Sequence, residues 1–320
     1  SEAGSWRDVR NAIHMRARRA AEQFHEQCGR ARVGADVEAI RHAVAPFDNF
    51  DGMLRHPDVV AALAARYGED HLFSVNQLER YAACPFGFLV ERVLEIDGVD
   101  APTTDFDPRL RGTLMHDALQ AFHEHYRGRA VVDVPEDEAR ATMRQALDEA
   151  FNRVHGRNKT APHAVAIVER ERMAAILERY LLIERERGPD WKPSHFEVEF
   201  GGAGRSQDTL SSSEPFRLET EHGPVNFSGR IDRIDLREAE ARIVDYKTSI
   251  HVRPKDIDEG RSLQLAVYAM ALEALLLKDV RCAEAAFVKV GSTETREALG
   301  RGPKKDLWAE REQVARAQVA

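Results

Sequence analysis

The sequence predicts a mixed α/β fold of the α+β kind, with a central mixed β-sheet that contains a hairpin, flanking helices and a preceding helical region. Helical periodicity dominates residues 74 to 187, and the run HFEVEF at 195 to 200 then alternates as a strand does. Further strand-like runs are separated by short turn signals, and another helix follows at about 262 to 277. Helices therefore both precede and follow the strands that would form the sheet.

The first helices of this region are marked by capping signals. Ser74 is the expected N-cap because Gln77, three residues later, completes a capping box, with Phe73 and Leu78 placed to form a hydrophobic staple. Pro85 lies just inside a second helical segment, PFGFLVERVLEI, at a position where a missing N–H costs little.

A longer helix is predicted to begin at Asp107 and Pro108, an N-cap followed by proline, and to end at Gly128. Its expected apolar stripe includes Leu110, Leu114, Ala118 and Phe122. Two further amphipathic stretches, at about 136 to 155 and 162 to 187, are also predicted helices.

The second half of the chain contains most of the predicted strands. Runs at 215 to 221 and 225 to 236 flank a turn at His222-Gly223, ARIVDYKTS supplies the next strand, and AFVKV a later one. A polar helical tail is expected from about residue 301. We interpret residues 1 to 70 as a helical lead-in without assigned chemistry, and residues 71 to 320 as the main domain.

Composition limits the classes of protein that fit. The chain has 320 residues, 43% of them apolar, but no long apolar run and no signal-peptide order at its start, so the expectation is a cytoplasmic protein without membrane contact. The formal net charge of -8 argues against coating nucleic acid through bulk electrostatics, although a local basic track is compatible with it.

Two aspartates occupy unusual positions in the strands at 225 to 236 and ARIVDYKTS. If these strands pair through a tight turn near Glu238 and Ala239, Asp232 lies directly opposite Asp245. Opposed Cβ atoms are ~4.5 to 5.5 Å apart, so two carboxylates placed this way repel each other unless a positive group lies between them. A divalent cation is such a group. Lys247, two residues after Asp245, lies on the same face of the strand. The alternative interpretation of these charged residues is that they belong to a half-exposed hairpin edge with scattered charge.

The order of several motifs resembles that of the PD-(D/E)XK nucleases, and most closely the nuclease domains of RecB and AddB. The motifs are GRID, then DYK with its aspartate thirteen residues later, then QLAVY. Upstream, RGTLMHDAL places Gly112 and His116 in a Gly-x-x-x-His pattern, and FSVNQLERYAACPFGF is similar to the start of the family's domain. The resemblance covers about residues 74 to 290 and implies a restriction-endonuclease-like core.

The resemblance implies a role for individual residues. It implies that the side chains of His116, Asp232 and Asp245 and the carbonyl of Tyr246 are metal ligands. It also implies that Asp232, Asp245 and Lys247 are the catalytic residues. Gln264 and Tyr268, one helical turn apart, match Q-x-x-x-Y and would orient the substrate, with the Tyr268 ring beside a DNA strand. Glu197 and Glu199 are expected to be solvent-facing charges, with an outer-shell carboxylate as the alternative.

The activity implied is Mg²⁺- or Mn²⁺-dependent hydrolysis of DNA phosphodiesters, of exonuclease type on single strands or DNA ends, in recombination or repair. DNA and a helicase, in cis or in trans, are the implied partners. The chain has no phosphate-binding loop of the G-x-x-x-x-G-K-[ST] type, so it is not expected to be a motor. A non-catalytic nucleic-acid-binding or scaffolding module on the same fold is the first alternative, and an unrelated structural hairpin protein the second.

The cysteines depart from the AddB pattern. In AddB-type members the cysteine of Y-x-x-C-P joins three C-terminal cysteines around an iron-sulfur cluster. Cys84 holds the first position here, but Cys282 is the only later cysteine, so four thiolate ligands are not available. We predict no iron-sulfur cluster and a buried, apolar role for Cys84.

Overall fold

The computed structural model describes residues 33–37, 39, 54–96, 106–155, 163–202, 204, 206–302, 305–306 and 308–319. The chain divides into two compact units, residues 1–66 and 67–320. Helix α1, Pro57–Arg66, belongs to the first unit. All elements that follow belong to the second.

The second unit opens with strand β1, Leu72–Ser74, and helix α2, Val75–Ala83. The predicted capping box is confirmed, since the Gln77 N–H donates to Ser74 Oγ and the Ser74 N–H donates to Gln77 Oε1. Helix α3, Pro85–Phe88, begins at the proline and continues into a π-helical turn at Leu89–Val93.

Cys84 differs from its prediction. It is half-buried rather than buried, and its Sγ accepts a hydrogen bond from the Gly87 N–H at 3.3 Å. The reason is its position as N-cap of α3, where the extended backbone that precedes a proline turns the side chain toward the open helix end. Cys282, by contrast, is buried.

Three long helices form one layer of the unit: α4, Pro108–His125, α5, Glu136–His155, and α6, His163–Glu186. Asp107 caps α4 through its side chain, as predicted. The helix ends at His125, and Gly128 lies three residues later in the left-handed region at φ 76°, where its N–H donates to the Pro193 carbonyl.

The described strands form one mixed sheet. They are β1, β2 (Lys192–Phe200), β3 (Phe216–Thr220), β4 (Gly223–Arg237), β5 (Glu240–Lys247), β6 (Arg281–Lys289), β7 (Thr295–Gly302) and β8 (Lys305–Asp306). The order is β1-β4-β5-β6-β7-β8, and β2 and β3 each pair with β4. The long β4 has parallel β1 and antiparallel β3 beside its first half and antiparallel β2 and β5 beside its second, while β5 and β6 are parallel.

The remaining helices are α7, Pro254–Asp258, α8, Gln264–Ala271 with a π-helical extension at Leu272–Leu276, and α9, Trp308–Val319. The polar tail predicted to be helical from about residue 301 becomes helical only at Trp308. Residues 295–300 instead pair with β6 as an antiparallel strand, because the edge of β6 offers them backbone hydrogen bonds, and residues 301–302 pair with β8.

The sheet lies between two helical layers. On β5, Ala241 and Ile243 pack in the core formed with α8 and α9, whereas Val244 and Tyr246 pack in the core formed with α4, α5 and α6. This alternation is that of a strand buried on both faces. The predicted fold class, a mixed sheet flanked by helices, is confirmed. In the described part of the chain, no helix has both the length and the apolar character needed to span a membrane.

Candidate active site

The hairpin of β4 and β5 has the register that the sequence predicts. Arg233 pairs with Val244, Ile234 with Ile243, and the turn lies at Glu238, whose φ is 51°. Asp232 and Asp245 lie one step beyond the last of these pairs, with side chains that are 10% and 2% exposed. Two carboxylates are thus held together in the interior at the open end of the hairpin.

Each carboxylate accepts a hydrogen bond from the protein. Asp232 Oδ2 accepts the Tyr246 N–H at 2.8 Å, and Asp245 Oδ1 accepts from Gln264 Nε2 at 2.7 Å. The other oxygen of Asp245 is also buried, and it pairs with the Lys247 ammonium at 2.5 Å.

Burial determines the protonation of this pair. It raises the pKa of both Asp232 and Asp245 above the usual carboxyl range, and the repulsion from Asp232 raises the pKa of Asp245 further. Lys247 acts in the opposite direction on both carboxyls. The ionised pair consequently needs more positive charge than the lysine alone provides.

His116 reaches the same place from α4. Its Nδ1 lies 3.5 Å from Asp232 Oδ2, and its Nε2 lies 3.1 Å from the Tyr246 carbonyl oxygen. Burial lowers the pKa of His116, which favours the neutral imidazole. The neutral form is the one that binds metal ions.

Glu197 joins this cluster, contrary to the expectation of a solvent-facing charge. His116, Glu197 and Asp232 each offer a ligand atom, and these atoms lie within 4.8 Å of one another. The Glu197 side chain is 13% exposed, and burial together with Asp232 raises its pKa to about 7. Its Oε2 also pairs with Arg230 Nε at 2.8 Å.

The backbone of β2 explains why strict alternation misplaced Glu197. Phe196 stacks on His123 of α4, whereas Phe200 contacts Tyr268 of α8, so residues that regular alternation would put on one face point to opposite layers. Glu197 lies between them with a φ of 49°. This left-handed residue turns the strand and directs its own side chain toward Asp232.

The donor set fits a divalent cation such as Mg²⁺ or Mn²⁺. It combines an imidazole, several carboxylates and the Tyr246 carbonyl, and hard cations prefer oxygen ligands while tolerating one nitrogen. The two buried carboxylates, whose mutual repulsion Lys247 offsets only in part, are acceptors that a cation would stabilise.

Gln264 is positioned by a residue that the sequence did not single out. Glu79 of α2 accepts the N–H groups of Leu263 and Gln264, at 2.6 and 3.0 Å, and thereby caps α8. The Gln264 side chain then lies between Asp245 and Lys247 of β5. Its Nε2 donates to Asp245 Oδ1, and its Oε1 lies 3.4 Å from Lys247 Nζ.

Tyr268 is also near the site but mostly inaccessible. It is 6% exposed, and its ring contacts Phe200 edge to face at 5.9 Å. Its hydroxyl accepts from Gln264 Nε2 at 3.2 Å. The ring is therefore largely buried, although Tyr268 is one of the residues that line the cleft, and this burial argues against stacking of a base on the full face of the ring.

A cleft of about 640 Å³ opens beside these groups. Its lining includes Lys247, Gln264 and Arg230 together with the small polar residues Ser74, Asn76, Ser228 and Ser262. The Arg230 side chain is 60% exposed. Glu79, Glu199 and apolar residues such as Phe200 also line the cleft, so the part suited to a phosphate is the part near the positively charged Arg230 and Lys247.

Comparison with known proteins identifies the superfamily of this chain. A family model of the PD-(D/E)XK nuclease superfamily matches residues 72–319, and the chain belongs to this superfamily. A subunit of the ATP-dependent helicase/deoxyribonuclease of Acetivibrio thermocellus is 29% identical over 219 residues, which are 66% of this chain. The proteins of the same name from Clostridium tetani and Ruminiclostridium cellulolyticum are each 28% identical, over 64% of this chain. The matched region is 18% of the length of each relative.

Proposed function

We propose that this chain is a metal-dependent deoxyribonuclease that hydrolyses phosphodiester bonds of single-stranded DNA or DNA ends. The observation that carries the proposal is a buried site in which His116 contacts Asp232 and Lys247 contacts Asp245, next to an open cleft. Membership of a nuclease superfamily supports it.

The metal ligands proposed are His116, Asp232, Asp245 and the Tyr246 carbonyl, with Glu197 added because of its position. A bound Mg²⁺ or Mn²⁺ would polarise the phosphate and supply hydroxide at neutral pH. The protein's own part is to hold these acceptors together before any metal arrives, through the Tyr246 N–H on Asp232 and the Gln264 amide on Asp245.

Lys247 is the proposed catalytic lysine. Its ammonium is held next to Asp245, yet its side chain is 34% exposed toward the cleft. From there it would orient a water molecule or offset the charge that builds on the phosphate oxygens during attack. Gln264 keeps the lysine and Asp245 in fixed relation, so the lysine needs little rearrangement during the reaction.

The single-strand preference follows from charge and shape. At a net charge of -8 the chain's overall field opposes DNA, so binding depends on local contacts such as those of Arg230 and Lys247 in the cleft. A confined cleft with both polar and aromatic residues in its lining suits one strand better than an intact duplex. The names of the relatives, which couple a helicase to a deoxyribonuclease, support a role in recombination or repair with a helicase in cis or in trans.

A time course on end-labelled single-stranded and duplex DNA tests the proposal, with Mg²⁺, Mn²⁺ or chelator in parallel. We expect degradation of the single strand only with metal, and closed duplex circles left largely intact. Binding without cleavage in any metal would favour the alternative of a non-catalytic module. Rapid linearisation of closed circles would refute the single-strand preference.

A further inference from the structure

A group of charged and hydroxyl side chains lies buried on the side of the sheet opposite the cleft, between β4, β5, α4 and α6. This group, the buried network, comprises His123, Tyr180, Glu184, Arg233, Asp235 and the hydroxyl of Tyr246. Its Arg233 is 1% exposed and its Asp235 fully buried. The surrounding core of the same layer is predominantly apolar.

Arg233 is the centre of the buried network. Its guanidinium forms a two-point pair with Asp235, at 2.5 and 2.8 Å, and its Nη1 lies 3.0 Å from Glu184 Oε2. The same Nη1 donates to the hydroxyls of Tyr180 and Tyr246, at 2.8 and 3.0 Å. These two hydroxyls also contact each other at 2.9 Å.

Stability alone does not account for such a group. Burying an ion pair costs desolvation free energy, and the attraction between the two charges often does no more than offset that cost. Apolar side chains of similar volume commonly stabilise a core as well or better. A hydrogen-bonded polar network does, however, fix the relative positions of its members, and here the members are bonded to one another apart from the buried Nδ1 of His123. Its role therefore depends on which groups it fixes.

Two of its members, Arg233 and Tyr246, directly adjoin the proposed ligands Asp232 and Asp245 in the sequence. Arg233 directly follows Asp232 on β4. Tyr246 lies between Asp245 and Lys247 on β5, so its ring points into the buried network while its neighbours point to the cleft. The main chain of Tyr246 donates its N–H to Asp232 and accepts from His116.

Helix α4, which carries His116, also contributes a residue to the buried network. His123 lies two turns after His116 on α4, and its Nε2 lies 2.7 Å from the Tyr180 hydroxyl. The buried network thereby connects β4, β5 and α4, the three elements that carry His116, Asp232 and Asp245.

We propose that the buried network is a positioning device for the cation site, and that Tyr246 is the positioning residue through which it acts. The hydroxyl of Tyr246 holds the ring in position through its hydrogen bonds with Arg233 and Tyr180. The ring in turn holds the backbone N–H and carbonyl of Tyr246, which contact Asp232 and His116. This inference rests on the proposed metal-dependent function. It adds that affinity for the cation depends on side chains that never contact the cation.

Removing single hydroxyls tests this with a matched control. Tyr246→Phe and Tyr180→Phe each delete a hydroxyl of the buried network. Tyr126→Phe deletes the hydroxyl of another buried tyrosine in the same helical layer; this hydroxyl is part-buried and bonds Glu138 and Thr142 of α5, at 3.0 and 2.9 Å. The three variants are compared with the parent for Mn²⁺ affinity by titration calorimetry and for melting temperature in chelator.

We expect the three variants to lose similar, modest amounts of thermal stability. Tyr246→Phe should weaken Mn²⁺ binding by about 10-fold, as removal of groups that orient metal ligands does, and Tyr180→Phe should weaken it by a smaller factor. Tyr126→Phe should bind Mn²⁺ as the parent does. This split between affinity and stability is what a purely structural role would not produce.

Equal Mn²⁺ affinity in the parent, Tyr246→Phe and Tyr180→Phe would overturn the proposal while leaving the nuclease function intact. An equal loss of affinity in Tyr126→Phe would overturn it too, because the effect would then be general loosening of the helical layer. A parent that binds no Mn²⁺ and cuts no DNA would instead refute the proposed function, and the inference with it.

Discussion

Lys247 and Asp245 lie two residues apart on β5 and contact each other at the wall of the cleft, with Nζ 2.5 Å from Oδ2. The contact unites a fully buried carboxylate with an ammonium group that still reaches solvent. The Asp245 side chain thus lies in the interior of the site, and the Lys247 side chain faces the cleft. Their separate roles can be distinguished by substitution.

Lys247→Ala should lower the rate of DNA cleavage by about 100-fold or more, because the charge that faces the phosphate is lost. The fold should persist, since the side chain is one-third exposed. Lys255→Ala is the control, because Lys255 is also a lysine but 72% exposed and outside the lining of the cleft. Steady-state cleavage of a labelled single strand measures both. Cleavage by Lys247→Ala at the parent rate would remove it from the catalytic set.

Stability without metal should depend on pH in a defined direction. The pKa values of Asp232, Asp245 and Glu197 are raised by burial, that of Glu197 to about 7. Carboxyls with raised pKa values contribute stability that is complete below their ordinary pKa of about 4 and is lost as pH rises through the raised values. In chelator the melting temperature should therefore fall between pH 5 and pH 8.

Asp245→Asn should reduce this pH dependence and raise the melting temperature at pH 8, since it removes one of the repelling charges while keeping an oxygen for Gln264. It should also abolish cleavage. Asp137→Asn, at an exposed position on α5, should change neither property. A variant Asp245→Asn with the parent's full pH dependence would show that the carboxylate pair does not control it.

Metal affinity should depend on both His116 and Glu197. An imidazole beside carboxylates favours Mn²⁺ over Mg²⁺, so the parent should bind Mn²⁺ more tightly, and His116→Ala should weaken both and narrow the difference. Glu197→Gln should also weaken binding, as its carboxylate lies within reach of the same cation. Calorimetric titrations test this, with Glu199→Gln as the neighbouring control. Affinities for parent and His116→Ala that agree within error would contradict the ligand assignment.

Tyr268 should matter for packing more than for DNA. Tyr268→Ala should destabilise the fold by about 3 to 5 kcal/mol, the usual cost of removing a buried aromatic ring. Tyr268→Phe should retain the stability that the buried ring contributes to the fold, and also the affinity for a single strand, because it removes only the hydroxyl that contacts Gln264. Thermal unfolding and strand-binding titrations separate the two effects. Weak strand binding by Tyr268→Phe, with an intact fold, would instead show that the hydroxyl contacts DNA.

The absence of an iron-sulfur cluster stays a prediction. Cys84 Sγ already caps α3, and Cys282 is buried in the core beside α8. Purified protein should therefore be colourless and lack stoichiometric iron. A brown preparation containing about four iron atoms per chain would show that other ligands complete a cluster.

The hairpin and the helix starts could be predicted from the sequence because their causes are local. Ser74 and Gln77 determine a helix start within one turn of backbone, and a tight turn at Glu238 determines the register that brings Asp232 and Asp245 together. The spacing of short motifs likewise identified the superfamily, although no local pattern links His116 to a strand 130 residues away.

What the tertiary structure alone decided are the contacts between elements distant in sequence. Glu197 turns toward the site because one left-handed residue interrupts the alternation of β2, a distortion that apolar periodicity does not reveal. Tyr268 is buried because Phe200 of another strand packs against its ring. The buried network of Arg233 joins α4 and α6 to the hairpin, and a sequence cannot show which distant partners will satisfy an arginine inside a strand. Local chemistry therefore determined the hairpin that carries the proposed metal site, and long-range packing determined what surrounds and holds it.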